Sequence, residues 1–332
     1  DFRFVDYNGR IGKTDDIEAV KAVVEGITGR ARIMTATPRL SLEMALPRFH
    51  IGNQTTTLQL EGVRLTGTLE QGTKVKVKGE LAVLKTLIED KSLDHTKISV
   101  GAIKLDTNAL REWPFIWSGL SSMAVNDIEF ENNELRGSLS SLTFRSDTTR
   151  KGDRLASSAS MEVGVSKISG INFPAFAVQM AMGNIEGEPI NDILEAIESM
   201  AIYDSEKIAQ LLLARLARFG ERLIAAGPEF AFDRLALSVK APDDIKLSFG
   251  VSVASGTKFS YDRMEDVADA VEGKLAFAAS LNAIEELLTT VVKIEAGNLD
   301  KADMKPEDRK TAQERFLKVK DILSKQPLFV IE

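Results

Sequence analysis

The stretch DSEKIAQLLLARLARFGERLIAAGPEFAFDRLALSVKAPDDIKLSFGVSV, residues 204–253, decides the fold. It reads as a long helix running into a two-stranded hairpin. Asp204 and Ser205 are good N-cap residues ahead of Ile208. Gly227-Pro228 stops the helix, because glycine suits a C-terminal cap and proline cannot continue the ladder. Between these signals Ile208, Leu211, Leu212, Leu216, Phe219 and Leu223 recur at helical spacing. After the stop Leu235, Leu237 and Val239 alternate, Ala241-Pro242-Asp243-Asp244 turns the chain, and Ile245, Leu247, Phe249, Val251 and Val253 alternate back. Period 3.6 followed by period 2 predicts a helix beside an antiparallel sheet with one wet face.

Upstream, period 2 dominates. Leu40, Leu42, Met44 and Leu46 alternate up to Pro47; Leu58 and Leu60 give way to Val63, Leu65 and Leu69, with a phase change at Glu61-Gly62 that predicts a bulge or bend. Further alternating sets lie at 75–83, 98–105, 128–144, 155–165 and 176–182, joined by turns such as Gln71-Gly72, Asn132-Asn133 and Gly152-Asp153. Short alternating segments in a row predict an antiparallel meander. Two helices are expected to interrupt it. Asp15 with Glu18 makes a capping box for one carrying Val20, Val23, Val24 and Ile27, stopped at Gly29, and residues 84–93 read as another.

From residue 190 helices dominate. They are expected at Asp192–Ala201, at 262–271, from Asn282 with Glu285 as cap through Val292, and from Pro306 to Ser324, with a strand at Leu275, Phe277 and Ala279. The expected fold is therefore α+β: an extended, curved antiparallel sheet with amphipathic helices packed on it, concentrated in the C-terminal half. The boundary falls between a mostly β region, 1–185, and a helix–hairpin–helix region, 186–332, which share one sheet.

Composition narrows the chemistry. At 332 residues the chain is long enough for one large core or two ordinary ones. A net charge of −7 with no dense basic block argues against nucleic acid. The absence of cysteine excludes disulfides, thiolate catalysis and thiolate-held metals or clusters. Aromatics are only 6%, so the sheet faces are built from Leu, Val, Ile and Ala. No run approaches the ~18 apolar residues of a spanning helix. Because Asp1 stands first, a leader or anchor is expected to have been removed or trimmed.

The phrases Leu223-Ile224-Ala225-Ala226-Gly227-Pro228-Glu229-Phe230 into Leu235-Ala236-Leu237-Ser238, and Glu272-Gly273-Lys274-Leu275-Ala276-Phe277 followed by a helix from Ala283 to Ile294, resemble the C-terminal half of the YdgA-like bacterial envelope proteins. The likeness covers mainly residues 208–292. It implies a short cytoplasmic start, one N-terminal membrane helix that this chain lacks, a large periplasmic portion, and a further strand pair after Ile331. It supplies no catalytic residue.

Catalytic patterns fare poorly. Gly12-Lys13-Thr14 lies where a phosphate loop would be, but Tyr7 stands where that loop needs glycine. His50 and His95 lack metal-ligand spacing, and Ser252 in Gly250-Val251-Ser252-Val253-Ala254 lacks the second glycine of a nucleophile elbow. Asp15-Asp16 and Asp243-Asp244 are explained by a helix start and a turn, and no calcium loop is present. Arg215, Arg218 and Arg222 form either a headgroup-facing set or a solvated face balanced by Glu206 and Glu221, and Trp113 and Trp117 are either surface anchors or plugs. The leading expectation is a non-catalytic, periplasm-facing envelope protein, anchored at the inner membrane in full length and needing no cofactor or metal. It would bind lipid or another apolar ligand along an aliphatic face that includes Leu237, Val239, Leu247, Phe249 and Val251. The alternative is an assembly protein that self-associates through sheet edges and helices. An enzyme comes third.

Overall fold

The computed structural model describes all residues except 1, 4–6, 12–19, 36–37, 53–55, 89–95, 134, 201–214, 217–218, 239–244, 259–267, 297–304 and 326–332. Within them lies a 19-stranded sheet in which every pairing is antiparallel. The strands are β1 (Phe2–Arg3), β2 (Tyr7–Ile11), β3 (Val20–Val24), β4 (Thr28–Met34), β5 (Arg39–Gly52), β6 (Thr56–Glu70), β7 (Lys74–Leu81), β8 (Val83–Ile88), β9 (Thr96–Val100) and β10 (Ile103–Trp113). They continue with β11 (Ile116–Glu131), β12 (Arg136–Lys151), β13 (Arg154–Val163), β14 (Ser166–Ile168), β15 (Ile171–Phe173), β16 (Ala175–Glu186), β17 (Glu229–Ser238), β18 (Ile245–Val253) and β19 (Val271–Ala279). Helices accompany them, among them α1 (Gly187–Met200), α2 (Leu281–Glu295) and α3 (Pro306–Lys325).

The pairings make two ribbons that share long strands. The broad one runs β4–β5–β6–β7–β10–β11–β12–β13–β16–β17–β18–β19, twelve strands wide. The narrower one runs β2–β3–β5–β6–β8–β9–β11–β12–β14–β15. The long strands β5, β6, β11 and β12 are 14 to 16 residues each and belong to both.

Between the ribbons runs a crease. In β5 the apolar set changes from even to odd numbers at Pro47; in β6 it changes at Gly62, where φ is +68°. In β11 the change falls at Asp127, φ +52°, between Val125 and Ile128, and in β12 between Leu139 and Leu142. Hydrogen bonds line this level: Ala82 N–H to Glu61 O at 3.0 Å, Asn126 N–H to Ala102 O at 3.0 Å, and Gly164 N–H to Ser141 O at 2.8 Å. A left-handed residue or a proline breaks the strict alternation of a strand, so a parity switch at the same level lets each ribbon keep one apolar face.

Two expected helices are strands. Val20–Val24 pairs with β2 and β5, so the helix expected through Val20, Val23 and Val24 is overturned, and Gly29 lies inside β4 rather than at a helix end; Asp15 and Glu18 lie outside the described residues. Residues 83–88 pair with β6 and β9, so the helical spacing of Leu84, Leu87 and Ile88 is overridden by a hairpin partner. Val in both segments, joined by Ile88 in the second, favours the pleated surface. Other differences are smaller. The helix expected at 192–201 begins earlier, at Gly187, with Pro189 in its first turn. Val271, expected to end a helix, opens β19, most of the expected 262–271 helix lying outside the described residues. The cap of α2 is Ser280 rather than Asn282: its Oγ accepts the Ala283 N–H at 3.1 Å. Ser280→Ala is expected to cost about 1 kcal/mol, read from the helical signal in thermal unfolding. Of the long helix, 215–216 and 219–226 are described and helical, and Gly227 ends it at φ +73° with its N–H on Ile224 O at 3.0 Å.

The interior is thin. The chain exposes 21891 Å², against roughly 13,000 Å² for a globular monomer of this mass. No large side chain among the described residues is fully buried. Core is local: Val292 of α2 meets Ala312 of α3, and Ala236, Ala226 and Ala283 are buried small residues. The described sheet is essentially one layer.

Candidate functional site

In an antiparallel sheet, residues directly opposite point to the same face. Reading the register across the broad ribbon therefore gives rows. One row begins Met44–Leu65–Gly79–Leu105–Met123. It continues Phe144–Met161–Val178–Leu235–Leu247–Phe277. It has no polar side chain from β5 to β19. A flanking row carries Leu81, Ile103, Val125, Leu142, Val163, Phe176, Leu237 and Ile245. At about 4.8 Å per strand, the main row with its β4 neighbour Gly29 spans roughly 50 Å.

These side chains are not covered. Leu105 keeps 39% of its surface, Met123 37%, Phe144 40%, Met161 36% and Phe277 40%. One residue along each strand the chemistry inverts. The adjacent row on the other face reads Glu43–Thr66–Lys78–Asp106–Ser122–Arg145–Ser160–Gln179–Arg234. Lys78 and Asp106 pair there at 3.2 Å. The sheet is thus amphipathic from β5 to β17. Among the described residues, hollows lie on the polar side: one of 710 Å³ is lined by Lys97, Glu129, Glu131, Arg136 and Lys167, and one of 450 Å³ by Arg30, Glu43, Arg64 and Thr66. The apolar side is a track rather than a pocket.

Four of the five residues singled out from the sequence share this track. Leu247, Phe249 and Val251 alternate along one face of β18, and Leu237 stands opposite Ile245 on the same face. Val239 lies outside the described residues. Sequence reasoning missed Phe230 and Phe232, which stand opposite Val251 and Phe249 and meet edge to face at 5.3 Å. A bulge at Asp233-Arg234 shifts their parity from that of Leu235 and Leu237, so counting by twos from Leu235 left them out.

The remaining candidates resolve into structure. Arg222 holds Glu186 at 2.6 Å and Glu188 at 3.2 Å, and the Arg215 guanidinium donates to Asp192 O at 2.5 Å. Burial works against the Arg222 charge, but its hydrogen bonds to the two carboxylates outweigh it and hold its pKa above the ordinary value. These arginines strap the helix at 219–226 to α1 and its approach, in place of the expected balance by Glu206 and Glu221; Arg218 and Glu206 lie outside the described residues. Trp113 is a plug: a Cβ on Gly187 would stand 2.4 Å from its ring, and Arg150 covers it at 4.1 Å. Trp117 is exposed, with Arg111 above its ring at 6.0 Å. His50 lies in β5 opposite Val23 and Gln59, and Ser252 faces Glu229 and Glu272. Gly12-Lys13-Thr14, Asp15-Asp16, His95 and Asp243-Asp244 fall outside the described residues, within which no group of carboxylates and histidines has metal-site spacing. No described helix is long and apolar enough to cross a membrane.

No curated protein and no solved structure matches the chain. A protein-family comparison matches residues 28–321, from the start of β4 into α3, and so the chain belongs to the family described as "Bacterial protein of unknown function (DUF945)".

Proposed function

We propose that the protein is a non-catalytic carrier that binds acyl amphiphiles along the apolar face of the broad ribbon. The supporting observation is the uninterrupted row from Met44 to Phe277, exposed at its centre and register-matched across strands far apart in sequence. An acyl chain lying on it exchanges water for Leu, Met, Phe and Val on one side only. Half-burial is worth about 0.4 kcal/mol per methylene, so a sixteen-carbon chain gains about 6 kcal/mol before the costs of association. Such binding is loose, and it suits a chain that slides. A track of roughly 50 Å exceeds one acyl chain, since a whole bilayer core of two leaflets is only about 30 Å thick. The finer likeness to YdgA-like envelope proteins supports a place in the periplasm, at the inner membrane.

Native mass spectrometry of the purified protein, followed by organic extraction, is the direct test. Near-stoichiometric phospholipid or fatty acid is expected, and a lipid-free protein that also refuses added fatty acid ends the carrier reading. Phe249→Asp is expected to lower the bound fraction severalfold while the far-UV spectrum persists, because Phe249 is already 39% exposed and its loss removes little packing.

A second reading, self-assembly, is favoured by one observation. Ile33 in β4, past the two residues that β1 pairs, and Leu275 in β19, the last strand of the broad ribbon, are 75% and 73% exposed. Apolar side chains on terminal strands invite strand addition by another copy. Light scattering over a concentration series separates the two: a constant monomer mass removes assembly, and mass growing with concentration in lipid-free protein supports it.

A further inference from the structure

The apolar face changes character along its strands as well as across them. On β10 the residues of this face run Leu105, Thr107, Ala109, Arg111; on β12 they run Phe144, Ser146, Thr148, Arg150. On β11, between them, Met123 is followed by Ser121, Gly119 and Trp117. The register keeps these steps level: Leu105, Met123 and Phe144 share a row, then Thr107, Ser121 and Ser146, then Ala109, Gly119 and Thr148, and Arg111 faces Trp117. Ser157 on β13 extends the third row, its Oγ 2.9 Å from Thr148 Oγ1. At about 3.4 Å per residue, the arginines stand roughly 20 Å along the strands from the apolar row.

The gradient is local. At the level of Thr148 and Ser157, the neighbouring strands carry Met182, Phe230 and Val251. An apolar row, a band of hydroxyls and a pair of guanidinium groups follow one another only on β10 to β13. That is the order of polarity in a single amphiphile: hydrocarbon, ester or hydroxyl region, charged head.

The two arginines differ in how their charge is met. Arg150 pairs with Glu112 at 3.2 Å, and Glu112 also takes the Ser118 hydroxyl at 2.5 Å. Arg111 donates only to the Pro114 carbonyl, at 3.0 and 2.6 Å, and lies over Trp117. Among the described residues no carboxylate comes within ion-pair distance of it, and it is solvent-exposed. A carbonyl and a ring face orient a guanidinium without neutralising it.

Building on the carrier reading, we propose that Arg111, with the hydroxyls of Thr107, Ser121, Ser146 and Thr148, forms a headgroup site that selects amphiphiles with an anionic head. Arg111 supplies the charge, the hydroxyls meet the polar segment next to the head, and the Leu105–Met123–Phe144 row takes the start of the chain. The anion is the head of a chain-bearing molecule, not a free ion.

The test titrates the whole chain with dodecyl phosphate and with dodecyl maltoside, each below its micelle concentration, for the native protein and for Arg111→Gln. Native protein is expected to bind the phosphate about tenfold more tightly, the scale of one charge-assisted contact. Arg111→Gln is expected to bring that ratio near one and to leave maltoside affinity unchanged, which also shows that the variant is folded. Inorganic phosphate at matching concentration is expected not to displace dodecyl phosphate. Equal affinities in the native protein, or a ratio unaltered in Arg111→Gln, overturn the headgroup site and leave the carrier reading standing. Displacement by inorganic phosphate overturns it in favour of a free-anion site. Failure of both amphiphiles to bind overturns both readings.

Discussion

Met161→Asp is expected to abolish amphiphile binding at the centre of the track, and Ser160→Asp to leave it intact. The two residues are neighbours in β13 but belong to opposite faces. Met161 stands between Phe144 and Val178 in the apolar row; Ser160 stands between Arg145 and Gln179 in the polar one. A carboxylate at 161 would lose its water when a chain lay over it. The cost of stripping an unpaired ion is several kcal/mol, comparable with the whole gain from a half-buried acyl chain. Affinity should fall at least a hundredfold. At 160 the new carboxylate meets the Arg145 side of the sheet and any chain lies on the far face. Neither substitution should unfold the protein, since Met161 is already 36% exposed. Fluorescent fatty-acid titration reads the outcome. Equal losses for both would mean that chains do not recognise the apolar face, and equal retention would mean that they bind elsewhere.

Gly119→Ala is expected to be the most damaging single-methyl change in the sheet. Gly119 has φ +124°, and a Cβ there would lie 2.1 Å from the Asn108 carbonyl oxygen on the paired strand. An L-residue in that conformation costs about 1–3 kcal/mol in backbone strain, and the clash adds to it because the obstacle is backbone, not a flexible side-chain end. A loss of about 3 kcal/mol or more is expected. Trp113 and Trp117, the only tryptophans of the chain, flank the turn of this same hairpin, so their fluorescence reads its urea midpoint directly. Gly67→Ala is the matched comparison: its nearest contact would be Lys76 O at 3.8 Å, and the midpoint should hold or rise slightly. If the two variants shifted alike, the backbone at 119 would not be constrained as described.

Much of the fold was legible because period 2 is a strong signal when one face is wet. The meander, the β17–β18 hairpin, the Gly227 stop and the bend at Gly62 follow from alternation and punctuation alone. The segments at 20–24 and 84–88 misled because an i, i+3, i+4 set of apolar residues is satisfied in a strand by accident. What decides such short runs is an available partner, and β5 and β6 lie tens of residues away. The same reason limited the site. Leu237, Leu247 and Phe249 declared an apolar face within one hairpin, but nothing in their neighbourhood announces that Met44 or Leu105 shares their face. That knowledge is register, and register between distant strands is set jointly by every turn and bulge on the way. The arginine-to-leucine gradient on β10 to β12 was hidden likewise, being a property of aligned strands rather than of any one of them.

A single-layer ladder has a thermodynamic character of its own. Each strand of the broad ribbon touches chiefly the strand on either side, as links in a chain do, so its free energy of folding is close to a sum of nearest-neighbour terms. Such a molecule has no centre whose collapse commits the rest. Hydrogen exchange should find protection greatest around β11 to β13 and decaying toward β4 and β19, and melting should proceed as fraying from the ends instead of one concerted event. Growth is equally modular: duplicating an interior hairpin lengthens the ribbon by about 10 Å without a core to repack, so length is a quantity that evolution can adjust in small steps.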